Sequence, residues 1–304
     1  MEQNRPTFSV IVPTYGRHRQ LSSCLQALAQ LDYPREFFEV IIVDDGSEIP
    51  AESTLNSFRD EIDIQFLRQD HAGPATARNT GALHAKKEFL VFTDDDCAPV
   101  SDWLQKLAAR FRESSDHGIG GRILNSLTEN LYSTAGHLLT DYLYSFYNSS
   151  PNRARFFASN NLAFPAKEFR EIGGFDKTFP LAAGEDREFC DRWLRKGYGL
   201  IYGPEVVVYH SHDLTLRTFL RQHFNYGRGA FFFHQLRPEK IKVESFSFYI
   251  KMLHYPFRQS CRHRSILSAL LALSQVANTS GFLWEKRSGK KAGSAKVICP
   301  PLLH

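Results

Sequence analysis

A mostly parallel α/β sheet with helices on both faces is the architecture the first third of the chain predicts. Its strand-like runs are apolar at consecutive rather than alternate positions, as in a sheet covered on both sides. These runs alternate with stretches of helical period. Each run stops at polar or turn-forming residues, so the run ends mark out one rim.

"FSVIVPTY" (8–15) is the first buried strand, and "RQLSSCLQALAQL" (19–31) follows with apolar residues at helical spacing. "FEVIIVDDGS" (38–47) is a second strand, closed by two acids and a Gly-Ser turn. "AESTLNSFRDE" reads as a helix, "IDIQFLRQ" as a third strand, and "GPATARNTGALHAK" (73–86) as a helix opened by Gly-Pro. The strand at 88–93 runs straight into Asp94, Asp95 and Asp96. Beyond residue 100 the pattern loosens. Helical stretches cover 101–113 and 126–147, and 154–166 reads as strand or loop with Asn160 and Asn161. A helix is expected from near Gly184, and a last strand, interrupted at Gly203-Pro204, ends at His210. The rest reads as helix and tail. The domain expectation is 1–213 for the sheet domain, 214–284 for a helical extension and 285–304 for a basic flexible tail.

Three adjacent carboxylates at the mouth of a buried strand repel one another, and burial sharpens the repulsion. With no matching basic cluster legible nearby, the rim reads as a site for a hard cation. Mg²⁺ or Mn²⁺ takes oxygen ligands from one or two carboxylates and completes its shell with substrate phosphates. A lone DxD is also compatible with a solvated acidic turn.

The order of motifs adds to this. "SVIVPTYGR", "VIIVDDGS", "GPATARNTGA", "FLVFTDDDCAP", "NNLAFPAKEFREIGGFD" and "GEDREFCDRW" follow one another over residues 7–213. Together they resemble the family 2 glycosyltransferases, which have the GT-A fold. The resemblance implies a Rossmann-like, mostly parallel sheet flanked by helices, with a C-terminal helical extension. It also implies inverting transfer from a nucleotide-diphospho-sugar to an acceptor hydroxyl. On it, Pro13, Thr14 and Tyr15 would line the base and ribose. Asp45, with Asp44 beside it, would accept a hydrogen bond from the base, and Arg78 would sit near the nucleotide or its phosphates. Asp96 would be the direct metal ligand within the Asp94–Asp96 pair, and Asp94 or Asp95 would face the ribose or sugar. His210 would be a third ligand, with His212 its nearest competitor. Asp186 would be the general base, with Glu185 beside it; both acids also suit the start of a helix. Sugar specificity would rest on loop shape around Asn160, Asn161, Gly174 and Asp95–Asp96. Trp193 reads equally as core. Where many relatives carry a further acid after the second metal-site Asp, this chain has Cys97, whose flanking carboxylates should keep it unreactive. The expected donor is a UDP-sugar, with dTDP and GDP alternatives, and the expected acceptor a glycan or lipid-linked intermediate.

Charge and composition narrow the alternatives. Apolar residues make up 42% and charged residues 23%, a globular composition rather than a disordered one. Five cysteines without a CxxC pair argue against a disulfide framework and for a reducing compartment. The first residues show no basic segment followed by an apolar run, so no signal peptide is expected. Residues 251–304 carry nine Lys/Arg and one acid, leaving the body mildly acidic. A nucleic-acid-binding protein is therefore disfavoured, because the acidic rim would repel phosphate. A dehydrogenase is disfavoured because no GxGxxG follows the first strand. A catalytically inactive sugar-nucleotide-binding module is the alternative that keeps every motif. "SILSALLALSQVANTSGFLW" (265–284) is uncharged and flanked by basic residues. It reads as a membrane span, an interfacial helix or a packed helix, and the basic tail favours an anionic membrane surface. The expected location is cytoplasmic, peripheral at the inner face of the plasma membrane.

Overall fold

The computed structural model describes residues 5–179, 183–237 and 244–292. In chain order the elements are β1 (Phe8–Thr14), α1 (His18–Ala29), β2 (Phe38–Asp44), α2 (Glu52–Leu55), β3 (Ile64–Arg68), α3 (Pro74–His84), β4 (Phe89–Phe92), β5 (Cys97–Pro99), α4 (Trp103–Glu113), β6 (Gly118–Asn125), α5 (Leu131–Tyr147), β7 (Leu162–Pro165), α6 (Ala166–Ile172), α7 (Glu185–Arg195), β8 (Leu200–His210), α8 (Leu216–Leu236), α9 (Phe246–Arg258) and α10 (Arg264–Ala292). The strands form one sheet in the order β3-β2-β1-β4-β7-β6-β8-β5. β1 to β4 are mutually parallel, β7 runs antiparallel between β4 and β6, β6 and β8 are parallel, and β5 returns antiparallel along β8.

Side-chain alternation sends each strand's apolar residues to two cores. Phe8, Val10, Val12, Val40 and Val91 pack with α1 and α4 through Leu21, Leu25, Trp103 and Leu107. Ile11, Ile41, Val43, Leu90 and Phe92 pack on the other face with α3, α6 and α7, through Ala77, Phe169 and Trp193. Trp193 is thus core, with its indole N–H donated to the Gly199 carbonyl at 2.9 Å.

Three strands differ from the sequence expectation. β6 was not expected, because three of the four residues of "GIGG" are glycines, which are depleted in strands. Its glycines are required by close approach: a Cβ on Gly120 would lie 2.0 Å from the Phe157 ring, and one on Gly118 2.4 Å from the Phe164 ring. β8 is one strand rather than an interrupted one. Its register against β6 jumps from Gly121–Gly203 to Arg122–Val207, so Pro204 sits in a bulge that needs no ladder donor from it. The short β5 also escaped the sequence reading.

The topology explains the rim. The carboxyl ends of β1, β2, β4 and β8 meet the amino ends of β7 and β5 along one edge, with Leu162 beside Phe92 and Cys97 beside His210.

The C-terminal helices dock closely on this body. A Cβ on Gly227 of α8 would lie 1.8 Å from the Asn278 carbonyl oxygen, and one on Gly281 of α10 1.9 Å from that of Phe224. α10 continues to Ala292, so residues 285–292 are helical where a flexible tail was expected; 293–304 lie outside the described residues. Gly227→Ala is expected to cost about 1–3 kcal/mol by overpacking this seam. Gly136→Ala meets open space within α5 and is expected to stabilise by about 0.5–1 kcal/mol through helix propensity. Urea unfolding of the two variants should therefore move in opposite directions.

Candidate active site

The sheet edge collects a ring of carboxylates, and each is partnered. Arg17, in the turn after β1, places Nη1 3.1 Å from Asp95 and 2.9 Å from Asp96. Thr14 donates its hydroxyl to Asp95 at 2.8 Å, and His210 Nε2 lies 3.1 Å from Asp96. Arg78 of α3, buried, reaches Asp94 at 2.6 Å with one nitrogen and Glu185 at 3.1 Å with another. The positive partners are therefore Arg78 and His210, both named from the sequence in other roles, and Arg17, to which it gave none. Arg17 closes the motif "SVIVPTYGR" without an assigned role, but the unbalanced charge of the three aspartates was a signal that some cation must fold against them.

Burial tunes these groups. It pushes the Asp95 carboxyl up to about 7, with Arg17 opposing and Asp96 adding to the rise. Burial would raise Asp96 as well, but the hydrogen bond and charge of His210, then Arg17, hold it well below the carboxylate range. His210 is the reciprocal case: burial lowers its pKa, and Asp96 more than restores it. Burial and the neighbouring His210 lower His212. Cys97 is buried, and burial first, then the Asp96 and Asp94 charges, keeps its thiol protonated.

Asp96, His210 and His212 bring one ligand atom each to within 4.8 Å of one another. A carboxylate with two imidazoles suits Mn²⁺ better than Mg²⁺. The donor set therefore fits a divalent transition metal, and it sets His212 beside Asp96 and His210. Asp94 is turned to Arg78 and lies outside this group.

The second acidic position opens α7. Gly184 precedes it with φ of 95°, a left-handed turn that delivers Glu185 and Asp186 into the first helical turn. Glu185 is buried, and burial, then the Asp186 charge, raises it to about 7 against the pull of Arg78. Burial raises Asp186 too; its Oδ1 accepts the Arg187 backbone N–H at 2.7 Å, so it serves the helix start as well. Tyr226 of α8, which the sequence did not single out, lies within charge reach of Asp186, Glu185 and Asp94. Three buried polar atoms here lack a hydrogen-bond partner: Arg78 Nε, Asn160 Oδ1 and Glu185 Oε2. Buried polar groups are normally satisfied, so three orphans around one cleft mark a place built to receive a polar ligand.

The remaining expected residues fall into two groups. Tyr15 is 53% exposed and stacks on the His71 ring at 4.3 Å, a flat platform on the rim. Asn160 is buried beside the end of β4, where its carbonyl accepts from Thr93 at 3.1 Å. Others support the site from behind. Pro13 is buried within β1 opposite Val43. Asp44 is fully buried and accepts the Ser47 and Ala51 backbone N–H groups at 2.9 and 3.0 Å. Burial would raise its pKa, but the Ser47 side chain, then the Ala51 and Ser47 backbone N–H groups, lower it. Asp45 accepts from Gln69, Ala72 and Gly73 at 2.7, 3.0 and 2.8 Å and lies 2.9 Å from His71, so it ties down the 69–73 loop. Gly174 has φ of 68° and is filled over by Asn79, whose Oδ1 would lie 2.5 Å from an added Cβ. It braces α3 rather than shaping a sugar pocket. Asn161 is spent structurally, on Trp103, Arg122 and Val206.

The family model for glycosyl transferase family 2 matches residues 9–171. The chain is 31% identical over 231 residues to the pre-mycofactocin glycosyltransferase of Mycobacterium tuberculosis, which covers 73% of this chain and 46% of the relative. It is 26% identical to the glycosyltransferase AglE of Haloferax volcanii, covering 75% of this chain and 74% of the relative. The chain thus spans less than half the length of the mycobacterial relative. Among solved structures, a Pyrobaculum calidifontis mannosyltransferase in complex with GDP-Man and Mn²⁺ superposes with a TM-score of 0.60 at 19% identity, covering 97% of this chain and 77% of that one. Residues 1–349 of Staphylococcus aureus TarS give 0.55 at 18% identity, covering 94% and 92%. These likenesses establish the GT-A fold, and with more than half its length matched by the family model, the chain belongs to glycosyl transferase family 2.

Proposed function

We propose that the protein is an inverting glycosyltransferase that moves a sugar from a nucleotide-diphospho-sugar to an acceptor hydroxyl. The observation that carries this reading is the buried Arg78 bridge, which joins the aspartate rim to the pair of acids opening α7. An in-line displacement at the anomeric carbon needs both sides at once. On the acceptor side, Asp186 takes the hydroxyl proton as the new glycosidic bond forms. Burial raises its pKa above the ordinary aspartate value, which strengthens it as a base. Glu185, fixed by Arg78, orients that first turn. On the donor side, Asp95 and Asp94 face the ribose or sugar, and Tyr15 with His71 stacks on the base. Asp45 serves the base indirectly, by holding the loop that carries His71. A divalent cation held by Asp96, His210 and His212 would supply the charge that stabilises the departing diphosphate.

The donor we favour is a UDP-sugar. Support comes from the solved neighbours, one holding GDP-Man and Mn²⁺ and another UDP-GlcNAc. The acceptor class we favour is a glycan or lipid-linked glycan presented at the cytoplasmic face of a membrane, on the strength of the basic, apolar C-terminal helices.

Calorimetric titration with UDP, GDP and dTDP, with and without Mn²⁺, tests the donor side. Asp96→Ala should abolish the Mn²⁺-dependent part of nucleotide binding. Arg17→Ala should tighten Mn²⁺ binding by about fivefold, because the departing half-exposed ion pair is worth only about 1 kcal/mol. Free Mn²⁺ measured by electron paramagnetic resonance reads this without turnover, and weaker binding in the variant would show that Arg17 shapes the site instead of competing for it. Asp186→Asn should retain nucleotide binding while turnover falls by about 10²–10⁴-fold. Undiminished turnover would move the base elsewhere, and nucleotide binding with no turnover in the wild type would make the protein a binding module.

A further inference from the structure

We infer that α9 and α10 form a docking face for an anionic lipid bilayer, along which α10 lies flat without crossing. This inference deepens the reading that the acceptor is presented at a membrane, and it rests on surface chemistry alone.

α10 has two apolar sides. Leu267, Leu270 and Leu271 are buried against the protein. Ile266, Leu273, Val276, Leu283 and Trp284 are instead between 44% and 63% exposed. Their spacing of seven, three, seven and one residues places them within about a third of the helix circumference, a continuous stripe. α9 carries a second stripe: Ile250 and Phe257 are exposed beside Lys251 and Arg258.

The charges flanking these stripes are of one sign. Arg262 and Arg264 are exposed at the start of α10, and Lys286 and Arg287 near its end. Glu285 is the only acid among the described residues of 245–292, and its carboxylate is engaged by Arg228 at 2.6 Å. A second copy of this surface would set cation against cation. A nucleic acid would match the cations and leave the apolar stripe in water. An anionic bilayer satisfies both, with apolar residues at the acyl boundary and cations among the headgroups.

Arg264–Ser288 is long and apolar enough to cross a membrane by length and composition. Crossing would tear α10 from α8 at Gly227–Asn278 and Gly281–Phe224, where the two backbones touch. It would also strip the buried leucines of their partners. Lying in the interface keeps both contacts and covers only the exposed stripe.

The protein carries its own reporter. Trp103 and Trp193 are fully buried, whereas Trp284 is 48% exposed. Vesicles of phosphatidylcholine, with and without phosphatidylglycerol, would be mixed with the full chain. Co-sedimentation and a blue shift in tryptophan emission are expected only with phosphatidylglycerol, and Trp284→Phe should remove the shift. Leu273→Glu with Val276→Glu, both at exposed positions, should weaken vesicle binding at least about tenfold, as should Lys286→Glu with Arg287→Glu. Nucleotide binding, measured on the same samples, should be unchanged and shows each variant folded. No sedimentation with phosphatidylglycerol vesicles at low salt would overturn the inference, as would sedimentation untouched by the stripe substitutions. A wild-type dimer in light scattering that the stripe substitutions turn monomeric, without lipid binding, would overturn it in favour of self-association. Loss of nucleotide binding in the wild type would count against the enzymatic reading and leave the docking face standing.

Discussion

A buried arginine held between two carboxylates from distant parts of the chain organises the site. Arg78 comes from α3, Asp94 from the end of β4 and Glu185 from the start of α7. The guanidinium is out of water, and so is Glu185; each would be costly alone. Their pairing fixes the distance between the sheet edge and α7 more stiffly than apolar packing would, because a misplaced charge has no solvent to fall back on. Even so, burial first and then the charge of Asp186 keep the Glu185 carboxyl raised to about 7. Asp94, Glu185 and Asp186 together outnumber the one arginine set among them.

The C-terminal helices belong to this arrangement. α8 brings Tyr226 to the acidic cleft on one side and is locked to α10 on the other. Arg187, directly after Asp186, places its guanidinium over the Phe233 ring of α8 at 4.9 Å and over Tyr147 of α5 at 5.4 Å. The first turn of α7 is thus seated by aromatic faces of two other helices.

Much of this was legible from residues alone, for physical reasons. β1, β2 and β4 are covered on both faces, so their continuous apolar runs stood out, and polar residues must gather where such strands end. β6 was hidden because its glycines answer to the Phe157 and Phe164 rings, a constraint that appears only once the sheet is assembled. Within the site, sequence named the carboxylates but not their roles. Asp44 and Asp45 are adjacent and alike in sequence, yet one clamps its own turn and the other a loop more than twenty residues on. Arg17 was quoted within a motif but given no role, because nothing about an arginine in a Gly-containing turn announces that it will fold onto aspartates nearly eighty residues away.

The contact between α8 and the loop before α7 has one more consequence. A Cβ on Gly229 would lie 1.9 Å from the carbonyl oxygen of Ala183, so the backbones touch one residue before Gly184 turns the chain into Glu185. The stretch matched by the family model ends at residue 171, and the motif-bearing region at 213. A fragment cut at either boundary would lose the surface against which that loop rests; the shorter one would lose the loop as well. The smallest self-sufficient unit is therefore larger than its motifs suggest. Grafting this rim onto another scaffold would require carrying α8 along with it.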